Sequence, residues 1–133
     1  MGRRYFMTVS IYDIISANPV FTKILQHEFT AKQSFMISRV LRTLNTETES
    51  FNKTREEVLR KYAECDVTGE MIVENGNVKI RDGEMVNFQK EINDLLYADL
   101  EVDIKPIPVD WLDDVKLTPQ ETLILEPFIQ FEE

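Results

Sequence analysis

From Thr30 to Thr68 the chain contains neither glycine nor proline. This stretch opens with Thr30 and Gln33, a full capping box, in which each side chain satisfies the other residue's exposed backbone N–H. Behind it Ile37, Leu41, Leu44, Thr48, Phe51, Arg55, Val58, Tyr62 and Cys65 recur at alternating steps of four and three. That is the heptad stripe of a helix packing along one seam, as in a coiled coil. Thr48 and Arg55 interrupt it, so Ile37, Leu41, Leu44, Phe51, Val58 and Tyr62 make the seam. A helix from Ala31 to Glu64 would be about 50 Å long, against roughly 30 Å across a compact domain of this size. Part of it must project or meet a partner. The polar run NTETES is where a kink, a break or simple exposure is expected.

Around this helix the signals are local and mixed. Ser10 with Asp13 is a weak relative of the same capping box. Asn18-Pro19 offers a good N-cap followed by the residue favoured at the first helical position. Two short helices are expected, Ser10 to Ala17 and Pro19 to about His27. Asn75-Gly76, between Met71–Glu74 and Asn77–Ile80, predicts a hairpin closed by a type I′ turn. An isolated hairpin is marginal in water, so this one must lean on another element. Asp82 is expected to cap a third helix, Gly83 to Tyr97, with Met85, Phe88, Ile92, Leu95 and Leu96 on one face. Leu100, Val102 and Ile104 alternate with acidic residues, the pattern of a half-buried strand. Pro106 and Pro108 push the next segment to a sheet edge or an extended arm. Thr118, Pro119 and Glu121 start a last short helix that Pro127 ends.

These elements predict an α+β fold: a long heptad-patterned helix and a small antiparallel sheet, packed with shorter helices. The sheet is expected to join the hairpin to the Leu100–Ile104 strand, with the third helix on one of its faces. The organisation expected is one domain over 1–133, with short helices over 1–28, the long helix over 30–65 and an acidic α+β head over 66–133.

Charge is unevenly placed. From Met1 to Tyr62 ten Lys/Arg face six Asp/Glu; from Ala63 to Glu133 five face eighteen, within a net charge of −9. Such an excess of carboxylates repels nucleic-acid phosphates, so no direct nucleic-acid partner is expected. It suits a basic protein surface, and it also keeps a small protein in solution. Asp99, Glu101, Asp103, Asp110, Asp113, Asp114, Glu132 and Glu133 are the candidate contact residues. The basic residues of the long helix (Arg39, Arg42, Lys53, Arg55, Arg60, Lys61) interleave with Glu47, Glu49, Glu56 and Glu57, an ordinary solvated face.

One cysteine excludes an internal disulfide and makes the cytosol the default compartment. No membrane partner is expected, because the most apolar window, YFMTVSIYDII, carries Asp13 and falls well short of the ~20 residues of a span. Arg3-Arg4 ahead of it imitates a signal peptide without a small-residue cleavage site. Phe6 stands where a myristoylation signal needs Ser or Thr. Met7 is an alternative start.

No catalytic, metal or cofactor motif emerges. Asp110, Asp113 and Asp114 lack the glycine-turned loop of a calcium site and read as a solvated face. Neither Cys65 nor His27 has a nucleophile signature around it, and Cys65 on the stripe reads as a small core residue. Four glycines fall in no phosphate-loop frame. Asn52-Lys53-Thr54 is a sequon by chance inside a helix. Trp111 reads as a core residue or, less commonly, an interface anchor.

The order of these pieces resembles a family of small, uncharacterised tailed-bacteriophage proteins. The matching segments are a charged helix ending in Lys61 to Glu64 and the hairpin Glu74 to Gly76. They continue with the helix Phe88 to Leu96, the strand Glu101 to Ile104 and the tail Leu117 to Phe128, within a region from about Phe29 to Glu133. The resemblance implies a phage origin and the cytoplasm of an infected host, and it brings no catalytic residues. The function expected is a non-enzymatic accessory protein that binds and modulates a host protein of the defence or transcription machinery. The alternative is a virion-assembly or structural protein, and the stripe would then allow a homodimer through the long helix.

Overall fold

The computed structural model describes residues 6–131. Its contacts divide the chain into two compact units. The first runs to Thr48 and resumes at Asp99; the second is Glu49–Ala98. The division falls inside the long helix, and it groups the N-terminal helical segment with the C-terminal part of the expected acidic head.

The first unit begins with β1 (Phe6–Val9) and α1 (Ile11–Ile24). Ser10 caps α1 reciprocally: Asp13 N–H donates to Ser10 Oγ at 3.1 Å, and Ser10 N–H to the Asp13 carboxylate at 3.0 Å. The two short helices expected here are one, with Pro19 in its interior. Pro19 removes a bond to the Ile15 carbonyl, at a cost of about 3 kcal/mol. Beyond it Val20, Phe21 and Ile24 are buried. Each contributes about 1.5–3 kcal/mol, so continuing the helix outweighs breaking it.

The unit's core adds Ile37, Val40 and Leu44 from the start of α2 (Ala31–Tyr62), Val102 from β4 (Leu100–Asp103), and Leu125 from α4 (Pro119–Leu125). Phe128 is fully buried edge-on against Phe21, ring centroids 5.9 Å apart. β4 pairs antiparallel with β1, Met7 opposite Val102 and Thr8 opposite Glu101. β5 (Ile107–Pro108) pairs in parallel with β6 (Ile129–Gln130). Pro108 thus lies in a two-stranded ladder, opposite Gln130, and Pro106 just before it; each strand of such a ladder is an edge, where a missing N–H is tolerated.

The second unit holds the end of α2, the hairpin of β2 (Val73–Glu74) and β3 (Asn77–Val78), and α3 (Met85–Tyr97). Asn75 and Gly76 both have positive φ, 52° and 80°, as a type I′ turn demands. The hairpin leans on the segment after α2. Ile72 N–H donates to the Glu64 carbonyl, Glu64 N–H to Lys79, and Arg81 N–H to Tyr62, each at 2.9 Å. The expected pairing with the Leu100–Ile104 strand is therefore corrected: that strand takes β1, and the described residues form three separate two-stranded sheets. The α+β class and the long helix stand as expected.

Three details also differ. Asp82 does not cap α3; Glu84 occupies that position without a side-chain bond. No α3 residue is fully buried; Phe88 meets Tyr62 at 6.1 Å between ring centroids, and Val86 is 76% exposed. Cys65 is exposed, because α2 ends at Tyr62 and the chain there bridges to Met71. The helix does not break at NTETES. The hydroxyls of Thr46 and Thr48 donate to the carbonyls four residues back, Arg42 at 3.0 Å and Leu44 at 2.9 Å, and so turn into the helix instead of competing with it.

Candidate functional site

Six of the eight candidate acidic residues lie among the described residues, all in the first unit and all exposed; Glu132 and Glu133 fall outside them. Two elements carry most of them. On β4, alternation turns Val102 inward and Glu101 and Asp103 outward, beside exposed Thr8 and Phe6 of β1. Asp99 precedes the strand. Between β5 and α4 a single 3-10 turn, Val109–Leu112, buries Leu112. With that anchor inside, Asp110, Asp113 and Asp114 face outward.

The turn's carboxylates do not all serve one surface. Asp110 and Asp114, with Trp111, line a cleft of about 500 Å³ whose other wall is His27, Glu28 and Phe29, from the connection between α1 and α2. Asp113 lines a separate, more apolar groove of about 290 Å³ with Leu117, Leu125 and Phe131. The connection is held at both ends: Leu25 N–H donates to the Phe21 carbonyl at 2.9 Å, and the Thr30–Gln33 capping box closes reciprocally at 3.1 Å. Among the described residues, His27 Nδ1 is the buried side-chain nitrogen or oxygen without a hydrogen-bond partner. An unmade bond of this kind costs about 1–3 kcal/mol. His27, Glu28 and Phe29 were not legible as a site, because they are ordinary residues in a short connection. Trp111, next to Asp110 and two residues before Asp113, was the one local hint.

The seam residues have structural work within this chain. Ile37 is 1% and Leu44 0% exposed, Phe51 and Tyr62 are buried, and Leu41 and Val58 are half-buried. The Ile37–Leu44 part of the stripe is occupied, so a homodimer through it would first have to displace the chain's own core.

Ion pairs support each unit. Lys23 of α1 reaches Glu121 of α4 at 2.8 Å. This bond, and the Thr118 N–H that the same carboxylate caps, hold Glu121 below the usual carboxylate range. In the second unit Glu91 accepts from Lys61 Nζ at 2.6 Å and from the Tyr62 hydroxyl at 2.8 Å. The two donors lower Glu91, and its hydrogen bonds raise Lys61 and Tyr62. These groups are committed to one another.

No family model matches the chain, and searches of curated proteins and of solved structures find no match. Among the described residues no helix is long and apolar enough to cross a membrane. None of their His, Cys, Asp and Glu side chains gather in threes as a metal site would require. Cys65 and His27 belong to different units.

Proposed function

We propose that this chain is a non-enzymatic accessory protein of a tailed bacteriophage. It acts in the host cytoplasm by docking its first unit on a basic surface of a host protein of the defence or transcription machinery. The observation that carries this reading is the exposed carboxylate set of that unit, Asp99, Glu101, Asp103, Asp110, Asp113 and Asp114. Between Asp99 and Glu133 the only cations are Lys105 and Lys116. Complementary charge of this kind sets orientation and association rate. The phage origin rests on the segment pattern from Phe29 onward. The test is capture from host lysate by the wild-type chain and by a variant carrying Glu101→Lys, Asp103→Lys, Asp110→Lys and Asp114→Lys. The partner should be lost in the variant and released from the wild type by salt. Capture that survives both treatments ends the electrostatic reading.

One observation favours the assembly alternative. The second unit leaves Val73 61%, Val86 76% and Tyr97 59% exposed, and a lasting apolar interface of the kind found in assembled particles would cover such residues. Recovery of the protein in purified virions would select it.

A further inference from the structure

We infer that α3 is a strap that opens from the end of α2 while the first unit stays folded, and that Glu91 is the clasp holding it shut. Among the described residues, the second unit buries only Phe51, Tyr62 and Ala63, and all three belong to α2 or follow it directly. α3 adds no buried residue of its own; Phe88, Ile92, Leu95 and Leu96 are half-buried. Stabilisation by burial grows with the apolar area removed from water. α3 therefore gains far less than α1, whose inner face is buried from Ile11 to Ile24.

Local support for α3 is also thin. It has 13 residues, a length at which an isolated helix is marginal in water. Its N-cap Glu84 makes no side-chain capping bond. Its first turn has no acidic residue and its last turn no basic one to meet the helix dipole. The polar attachment is concentrated at one point. Glu91 accepts from two successive residues at the end of α2, Lys61 Nζ and the Tyr62 hydroxyl, and one turn earlier Phe88 meets the Tyr62 ring edge-on. Bonds to an ionised carboxylate are about twice as strong as neutral ones. Water competes for this clasp, because the Lys61 side chain is 60% exposed and that of Glu91 35%. The chain ahead of α3 is anchored separately: Arg81 donates its N–H to the Tyr62 carbonyl at 2.9 Å and its guanidinium to the Lys61 carbonyl at 2.8 Å. Between that anchor and α3 stands Gly83, with φ 81° and open space around it, a connection free to turn. Opening bares Tyr62 and Phe88 and enlarges an apolar surface to which Val73 and Val86 already belong.

Amide hydrogen exchange of the full chain, resolved by residue with NMR, reads such local openings directly. In the wild type the Ile92 and Leu95 amides of α3 should be on the order of tenfold or more less protected than those of Phe21 and Ile24 in α1. Glu91→Gln keeps the shape and one acceptor oxygen but removes the charge. It should lower protection across α3 by on the order of tenfold and leave α1 unchanged. Tyr62→Phe removes one of the two donors while keeping the ring against Phe88, and should act in the same direction by less. Glu121→Gln is the matched control: it weakens the Lys23 pair of the first unit and should leave α3 exchange as it was. Retained α1 protection shows in each spectrum that the variant is folded. Equal protection of α3 and α1 in the wild type overturns the strap. Unchanged α3 protection in Glu91→Gln, or a loss shared equally by α1 and α3, overturns the clasp.

Discussion

Replacing Pro19 by alanine asks whether α1 is one helix or two, and the two answers have opposite signs. In the continuous helix Pro19 is an exposed interior residue. Its ring crowds the Ile15 carbonyl and leaves that carbonyl without an N–H. Alanine restores the bond, and an interior proline costs about 3 kcal/mol relative to alanine. The helix already accommodates the ring, and Ile15 is 38% exposed, so water softens the loss. A gain of about 1–3 kcal/mol is therefore expected. If instead a second helix began at Asn18, Pro19 would sit at the first helical position. Removing it would then be neutral or mildly destabilising, through the greater freedom of the unfolded chain. Asn18→Ala sharpens the contrast: losing an N-cap costs about 1 kcal/mol, whereas inside a helix alanine is the better residue. The assay is urea unfolding followed by Trp111 fluorescence, since Trp111 lies in the same unit as α1. Destabilisation by both substitutions would refute the continuous helix.

Phe128→Ala should cost about 3–5 kcal/mol in the same assay, because the ring is fully buried against Phe21; Phe131→Ala, at 57% exposure, should stay near zero. Gly76→Ala should destabilise the hairpin by about 1 kcal/mol, read as faster amide exchange at Lys79 and Arg81, since Gly76 has φ 80°. Glu121 is held below its unfolded range, so its pairing with Lys23 stabilises the first unit above that range and is lost as pH falls through the folded value. Glu121→Gln should accordingly flatten the acid limb of the urea midpoint against pH. Cys65 is exposed and should react fully with Ellman's reagent in the folded chain; protection would return it to the helix seam.

The features legible in the sequence are those that neighbouring residues decide. The capping boxes at Thr30 and Thr118, the turn at Asn75-Gly76 and the alternation of β4 each depend on residues within a few positions, and each forms as expected. Choices among distant partners were not legible. Leu100–Ile104 was expected beside the hairpin, yet Leu100–Asp103 pairs with Phe6–Val9, nearly a hundred residues away, where no strand was expected. Asn18-Pro19 carries the same local signal whether a helix begins there or passes through, and burial of Phe21 and Ile24 decides. The heptad count was correct to Tyr62 and ran one step too far, because periodicity does not mark where a helix stops.

The candidate site shows the same limit in its chemistry. Composition alone exposed the carboxylates, since Asp110, Asp113 and Asp114 stand close together in the sequence. It could not sort them, because Asp113 lines an apolar groove while Asp110, three residues before it, and Asp114, one residue after it, line the cleft with Trp111. Nor could it supply the opposite wall, which is more than 80 residues distant in the sequence. A charged surface of this kind steers the approach of a partner and fixes its orientation. If the docking reading holds, the strand carboxylates should govern how fast a partner arrives and its salt dependence. Asp110 and Asp114 are exposed in the same way, so Asp110→Asn with Asp114→Asn should act mainly on the association rate.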